Sequence, residues 1–192
     1  MWEGEFYFEY HRGTYTSMAR NKRANRKSEL LLMDLELLSV LAQRAGAAYP
    51  AQELEQMWKT VLLNQFHDIL PGSHTAPVCE DALVVYQSVG KGLRELRGKA
   101  WDILAPADAG AAAGFSVFNP LSDRRDGCAR LPEKAGRVEA LADAAGLPVP
   151  VQKQRKPDGG SRLVAAVRGV PGLGFASFTA SRGGPAAVPA DL

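Results

Sequence analysis

The stretch that decides the fold is Ala105-Pro106-Ala107-Asp108-Ala109-Gly110-Ala111-Ala112-Ala113-Gly114, because the apolar pattern changes character across it. Its side chains are small and offer almost nothing to bury, which is the composition of a flexible link between separately packed units. Punctuation residues divide in the same way. Of 12 prolines and 19 glycines, residues 1–104 hold 3 and 7, and residues 105–192 hold 9 and 12. Helical spacing is therefore expected before the link and short strands after it.

Immediately before the link, Ala82, Val85, Val89, Leu93, Leu96, Ala100 and Ile103 step by alternating threes and fours, the spacing of one helical face. Gly90 and Gly92 weaken that helix by about 1 kcal/mol each relative to alanine, so packing must hold it. Further back, Pro50 suits a first helical turn and Glu53 and Glu55 favour the positive end of the dipole. Leu54, Met57, Trp58, Val61 and Leu62 then mark one face of a helix running to about Phe66. Residues 25–45 carry Leu30, Leu31, Met33, Leu35, Leu37, Leu38 and Leu41, too long a run for a strand and apolar on more than one face. They predict a buried helix. Gly46 and Pro71-Gly72 stop the first two patterns, and antiparallel packing of the three helices through short loops follows.

Beyond the link the signal shortens. Phe115, Val117 and Phe118 stop at Asn119-Pro120; Val149 and Val151 alternate with polar or turn residues; Leu163, Val164, Ala166 and Val167 lead to Pro171-Gly172; Phe175 and Phe178 mark a last segment. These strands are too few to close a sandwich, so the chain is expected to be a piece of a larger protein. The fold class is α+β and multidomain: a segment 1–24, a three-helix bundle 25–104, a link 105–114, and the start of a β-sandwich-like domain 115–192.

Composition narrows the function. With 192 residues, 46% hydrophobic and 23% charged, the chain can bury a core, and no apolar run approaches the roughly 20 residues of a membrane span. The net charge of +2 is too small for a general polyanion binder. The basic run Arg20-Asn21-Lys22-Arg23-Ala24-Asn25-Arg26-Lys27 has no interleaved aromatics, so it reads as a solvated helix start or docking face rather than a nucleic-acid patch. Cys79 and Cys128 have no C-x-x-C spacing, which favours a reducing compartment. Met1 is followed by Trp2, Glu3 and Glu5, not by the order of a signal peptide, and the expected location is cytoplasmic. Gly159-Gly160 and Gly172-x-Gly174 lack the lysine and hydroxyl of a phosphate loop and read as turns.

The chain has three histidines, His11, His67 and His74, too few for an all-histidine metal site with residues to spare. Polar side chains concentrate in Asn64-Gln65-Phe66-His67-Asp68, at the end of an apolar helix and just before a Pro-Gly break. A neutral imidazole there can bind zinc, and an adjacent carboxylate can hold a substrate hydroxyl or a cation. The same residues also suit a helix-end histidine and a solvated acid.

Three separated motifs carry a resemblance. Gln65-Phe66-His67-Asp68-Ile69-Leu70-Pro71-Gly72-Ser73, with Glu9-Tyr10-His11-Arg12-Gly13-Thr14-Tyr15-Thr16-Ser17 before it and Phe118-Asn119-Pro120-Leu121-Ser122 after it, resembles glycoside hydrolase family 38, the retaining α-mannosidases. The resemblance spans the end of a catalytic barrel (1–24), the helical middle domain, the link and the start of the β-rich part. It implies one zinc ion held by two histidines and two aspartates, one of the aspartates being the nucleophile. His67 matches a zinc ligand, Asp68 a carboxylate that binds hydroxyls of the mannose ring, and Tyr15 and His11 lie in the motif bordering that pocket. No catalytic residue is expected in this chain: nucleophile, general acid and the other zinc ligands belong to a barrel preceding Met1. The implied partners are that barrel, an α-mannoside and, in the full-length enzyme, further copies of itself. The rival reading is a non-enzymatic helical-bundle module that binds a partner through exposed apolar surface.

Overall fold

The computed structural model describes residues 12–105, 114–131, 138 and 140–181. The chain forms two compact units that divide between Leu104 and Ala105.

The first unit is a bundle of α1 (Ala19–Arg44), α2 (Ala51–Asn64) and α3 (Ala76–Leu104). Its core is Leu32 and Leu35 from α1, Leu54 and Val61 from α2, and Val89 and Leu93 from α3, with Met57, Trp58 and Leu96 packed against them. Most buried positions in each helix lie three, four or seven residues apart, so one stripe of each helix turns inward. Trp58 keeps its indole N–H satisfied by donating to Glu36 Oε1 at 2.9 Å. α3 runs unbroken through Gly90 and Gly92. A Cβ on Gly92 would come within 2.6 Å of the Met57 methyl, so the glycine lets α2 and α3 approach closely.

Two expectations change here. α1 begins at Ala19 rather than near residue 25, because its first buried positions are Asn21, Asn25 and Ser28 instead of leucines. The leucine-rich helix is buried on one side only: Leu32, Leu35 and Leu38 are inside, whereas Leu30, Met33 and Val40 are 44%, 58% and 45% exposed.

Among the described residues the second unit holds seven strands: β1 (Gly114–Asn119), β2 (Arg125–Arg130), β3 (Ala140–Ala142), β4 (Pro148–Val149), β5 (Val151–Arg155), β6 (Ser161–Val170) and β7 (Gly174–Ser181). They pair antiparallel in two sheets, ordered β1-β7-β3-β4 and β2-β6-β5. Leu141, Val149 and Phe178 of one sheet share a core with Ala165, Val167 and Val170 of the other, together with Leu131 and Val138. The arrangement is sandwich-like. Val149 and Val151, expected in one strand, belong to different sheets, because the chain changes sheet at Pro150, whose carbonyl accepts from the Ala166 N–H at 3.0 Å. β2 carried no apolar signal, since most of its side chains are exposed.

The Phe118–Ser122 motif proves to be a structural turn. Asn119 Nδ2 donates to the Asp123 carbonyl at 2.7 Å and to the Val170 carbonyl at 3.3 Å, while its Oδ1 accepts from the Leu121 N–H at 3.1 Å. The Leu173 N–H donates to the Leu121 carbonyl at 2.8 Å, and a Cβ on Gly172 would collide with the Ser122 carbonyl. Only glycine fits there.

Candidate functional site

The candidate site lies on the corner between α2 and α3. The α2 helix ends at Asn64, whose buried side chain donates back to the Thr60 carbonyl at 2.9 Å. The chain then coils through two tight turns, with the Ile69 and Leu70 N–H groups both donating to the Phe66 carbonyl at 2.9 and 3.2 Å. This places His67 and Asp68 on the outside, their side chains 71% and 60% exposed, with His67 Nε2 3.6 Å from Asp68 Oδ2. That separation is too long for a hydrogen bond and short enough for the carboxylate to act on the ring electrostatically. Phe66 lies against the imidazole at 4.2 Å between ring centres. The Ser73 hydroxyl donates to Asp68 Oδ1 at 3.1 Å, fixing one carboxylate oxygen from the far side of the Pro71-Gly72 bend.

The segment before α1 is bonded to the same corner. Ser17 Oγ donates to the Pro71 carbonyl at 2.6 Å. Lys22 Nζ donates to the carbonyls of Ser17, Leu70 and Pro71 at 2.5, 3.0 and 3.2 Å. Burial lowers the Lys22 pKa from its ordinary value. Gly72, at φ +88°, has Met18 Cγ where a Cβ would stand. The Gly13–Ser17 segment carrying Tyr15 is thus tied beside the turn that follows His67 and Asp68. The Tyr15 ring is 80% exposed. His11 lies outside the described residues.

Beneath the corner a polar network joins all three helices. Gln65, the residue closing α2, donates through Nε2 to Asn25 Oδ1 at 3.0 Å and Glu29 Oε1 at 2.8 Å. Asn25 Nδ2 donates to the same Glu29 oxygen at 3.2 Å, and Tyr86 on α3 donates its hydroxyl to Asn25 Oδ1 at 3.2 Å. Burial and the nearby Glu29 carboxylate push the Tyr86 phenol up to about 12, so it stays a donor. Asn21, one turn before Asn25 and fully buried, has no hydrogen-bond partner for either amide atom among the described residues.

Sequence reasoning singled out His67, Asp68 and Tyr15 but missed Lys22, Glu29 and Tyr86. Lys22 was hidden in the basic run, where Arg20, Arg23, Arg26 and Lys27 are exposed as a solvated helix start would have them, while Asn21 and Asn25 are buried. Among the described residues no group of three or more His, Cys, Asp or Glu could enclose a metal ion. The donor set fits a partial zinc site: an exposed imidazole with a carboxylate at its edge, open to ligands from elsewhere and too few to hold an ion alone.

The alpha mannosidase middle domain family matches residues 9–104, which include the whole corner. The chain belongs to the α-mannosidases of glycoside hydrolase family 38. It is 38% identical to mouse Alpha-mannosidase 2C1 over 137 residues, covering 70% of this chain and 13% of that protein. Over 91 residues it is 43% identical to the Alpha-mannosidase of Saccharomyces cerevisiae, covering 46% of this chain and 8% of the yeast protein. The solved structure of an alpha-mannosidase from Enterococcus faecalis shares its fold, with a TM-score of 0.67 at 19% identity over 92% of this chain and 25% of that one. The chain therefore spans only about one seventh of its mammalian family relatives, as the 14% share of human Alpha-mannosidase 2C1 also shows. No helix among the described residues is long and apolar enough to cross a membrane.

Proposed function

We propose that the chain is the part of a zinc-dependent retaining α-mannosidase that supplies one metal ligand, His67, and one wall of the mannose pocket. The observation that supports this reading is the exposed His67–Asp68 pair on a corner tied down from both sides, inside the segment matched to the family. When bound, zinc would polarise and orient hydroxyls of the reacting sugar. His67 would hold the ion through one ring nitrogen. Asp68 would accept hydroxyls of the sugar: its Oδ1 takes one bond from Ser73, and an ionised carboxylate has about four acceptor positions in all. Tyr15 and His11 border the same pocket in this reading.

The nucleophile, the general acid and the remaining zinc ligands are assigned to a catalytic barrel outside this chain. That barrel must approach His67 closely, and Leu62, Leu63 and Phe66, 55%, 68% and 59% exposed, are the apolar surface it would cover. The substrate class is α-mannosides of glycans. A cytoplasmic location accords with Cys79 and Cys128 both being free thiols.

The test uses the full-length enzyme and an aryl α-mannoside. His67→Ala is expected to lower zinc occupancy and rate by orders of magnitude, and Asp68→Asn to lower kcat/KM at unchanged zinc content. Normal metal content and activity in His67→Ala would sink the assignment. A folded full-length protein with neither zinc nor hydrolysis would favour the non-enzymatic module instead.

A further inference from the structure

We propose that Lys22 is a positioning residue for the His67–Asp68 corner, its ammonium group holding the turn that sets where both side chains stand. The inference rests on the mannosidase reading above and goes beyond it, because Lys22 touches neither partner of the pair.

Its three N–H donors are matched to three carbonyls at 2.5, 3.0 and 3.2 Å. Two of those carbonyls, Leu70 and Pro71, are consecutive in the chain, and the third, Ser17, lies on the segment leading into α1. Consecutive carbonyls aimed at one point repel each other unless a cation or donor cluster lies between them. A lysine ammonium is a compact source of three donors, whereas the planar fork of arginine cannot converge on one point. Charge-assisted bonds of this kind are roughly twice as strong as neutral ones.

The link to the site is short. Leu70 is tied through its N–H to the Phe66 carbonyl, so residues 66–70 form one closed turn with His67 and Asp68 on its outer side. Ser73 then returns to Asp68 from beyond the Pro71-Gly72 bend that Lys22 holds. Releasing Nζ removes two of the three side-chain bonds that hold the bend, leaving the Ser17 hydroxyl on the Pro71 carbonyl, and so loosens both the carboxylate oxygen and the direction of the imidazole.

The experiment compares the full-length enzyme with Lys22→Met, which keeps the aliphatic stem and removes the donors. His67→Ala and Trp58→Phe serve as references, the latter removing a bond to Glu36 elsewhere in the bundle. Zinc dissociation, kcat, KM and thermal unfolding are measured for each. Lys22→Met is expected to lose zinc about 10- to 100-fold faster and to lower kcat by a similar factor, with KM changed much less. Trp58→Phe is expected to leave zinc retention and kcat unchanged at a comparable drop in unfolding temperature. Should Lys22→Met not fold, Lys22→Gln, which keeps two donors, carries the test with a smaller loss of the same kind. Zinc retention and kcat unchanged in the folded lysine variant, while His67→Ala loses its zinc, overturn the proposal and leave the mannosidase reading intact. Equal losses in Trp58→Phe overturn it too. Retention of zinc by His67→Ala overturns the mannosidase reading on which it stands.

Discussion

At the scale of single residues, two glycines illustrate opposite demands. Gly98 lies within α3 with open space where a Cβ would stand, so its backbone freedom is a cost with no return. Gly98→Ala is expected to stabilise the helical unit by up to about 1 kcal/mol, read as a later midpoint in chemical unfolding followed by helical circular dichroism. Gly172 is the reverse, because the Ser122 carbonyl occupies the space beside its Cα. Gly172→Ala is expected to cost roughly 2 kcal/mol or more, since backbone rather than a pliable side chain must move; an unchanged thermal midpoint for the β unit would show that this turn is slacker than it looks. His67 and Asp68 were picked out because the run from Gln65 to Ser73 resembles a family motif; their adjacency before a Pro-Gly break suits a solvated helix end as well. Lys22 was not, because a lysine among arginines reads as solvent-facing until its carbonyl partners are in place.

At the scale of elements, the legible parts were those whose buried faces are apolar. The third helix was readable because Val89, Leu93 and Ala100 point inward. The beginning of α1 was not, because Asn21, Asn25 and Ser28 occupy its inner face, Asn25 being bonded to Gln65 and Tyr86. β2 was invisible because its partners are backbone groups of β6 and, Ala129 apart, its side chains are exposed. The network under the corner makes a pH prediction. The Tyr86 phenol is held protonated up to about 12 in the folded chain, against about 10 when unfolded. The stabilisation is therefore complete below about pH 10 and is lost as pH rises toward 12, amounting to roughly 2–3 kcal/mol. Urea unfolding of wild type and Tyr86→Phe across that window should show the wild type losing stability more steeply; parallel profiles would mean that the phenol does not titrate late.

At the scale of the whole molecule, the division into two units separates the three sequence motifs by role. Two of them, before α1 and after α2, are tied into one corner by Ser17 and Lys22, whereas the third builds a turn of the β unit. The incomplete donor set sets an expectation for the 192-residue chain by itself: equilibrium dialysis should find no tight stoichiometric zinc site, since such sites need three or four protein ligands. Stoichiometric uptake would place further ligands in this chain. The inner face of α1 changes from Asn21, Asn25 and Ser28 near the corner to Leu32, Leu35, Leu38, Ser39 and Ala42 toward its far end, so this face grows more apolar along the helix. Opening the corner end exposes little apolar surface and proceeds with small dependence on denaturant, while the leucine end opens only with the whole unit. Amide hydrogens in the first turns of α1 are thus expected to exchange through brief local excursions during which Leu32, Leu35 and Leu38 stay shut, so that exchange around Asn21 and Asn25 outpaces exchange around Leu35.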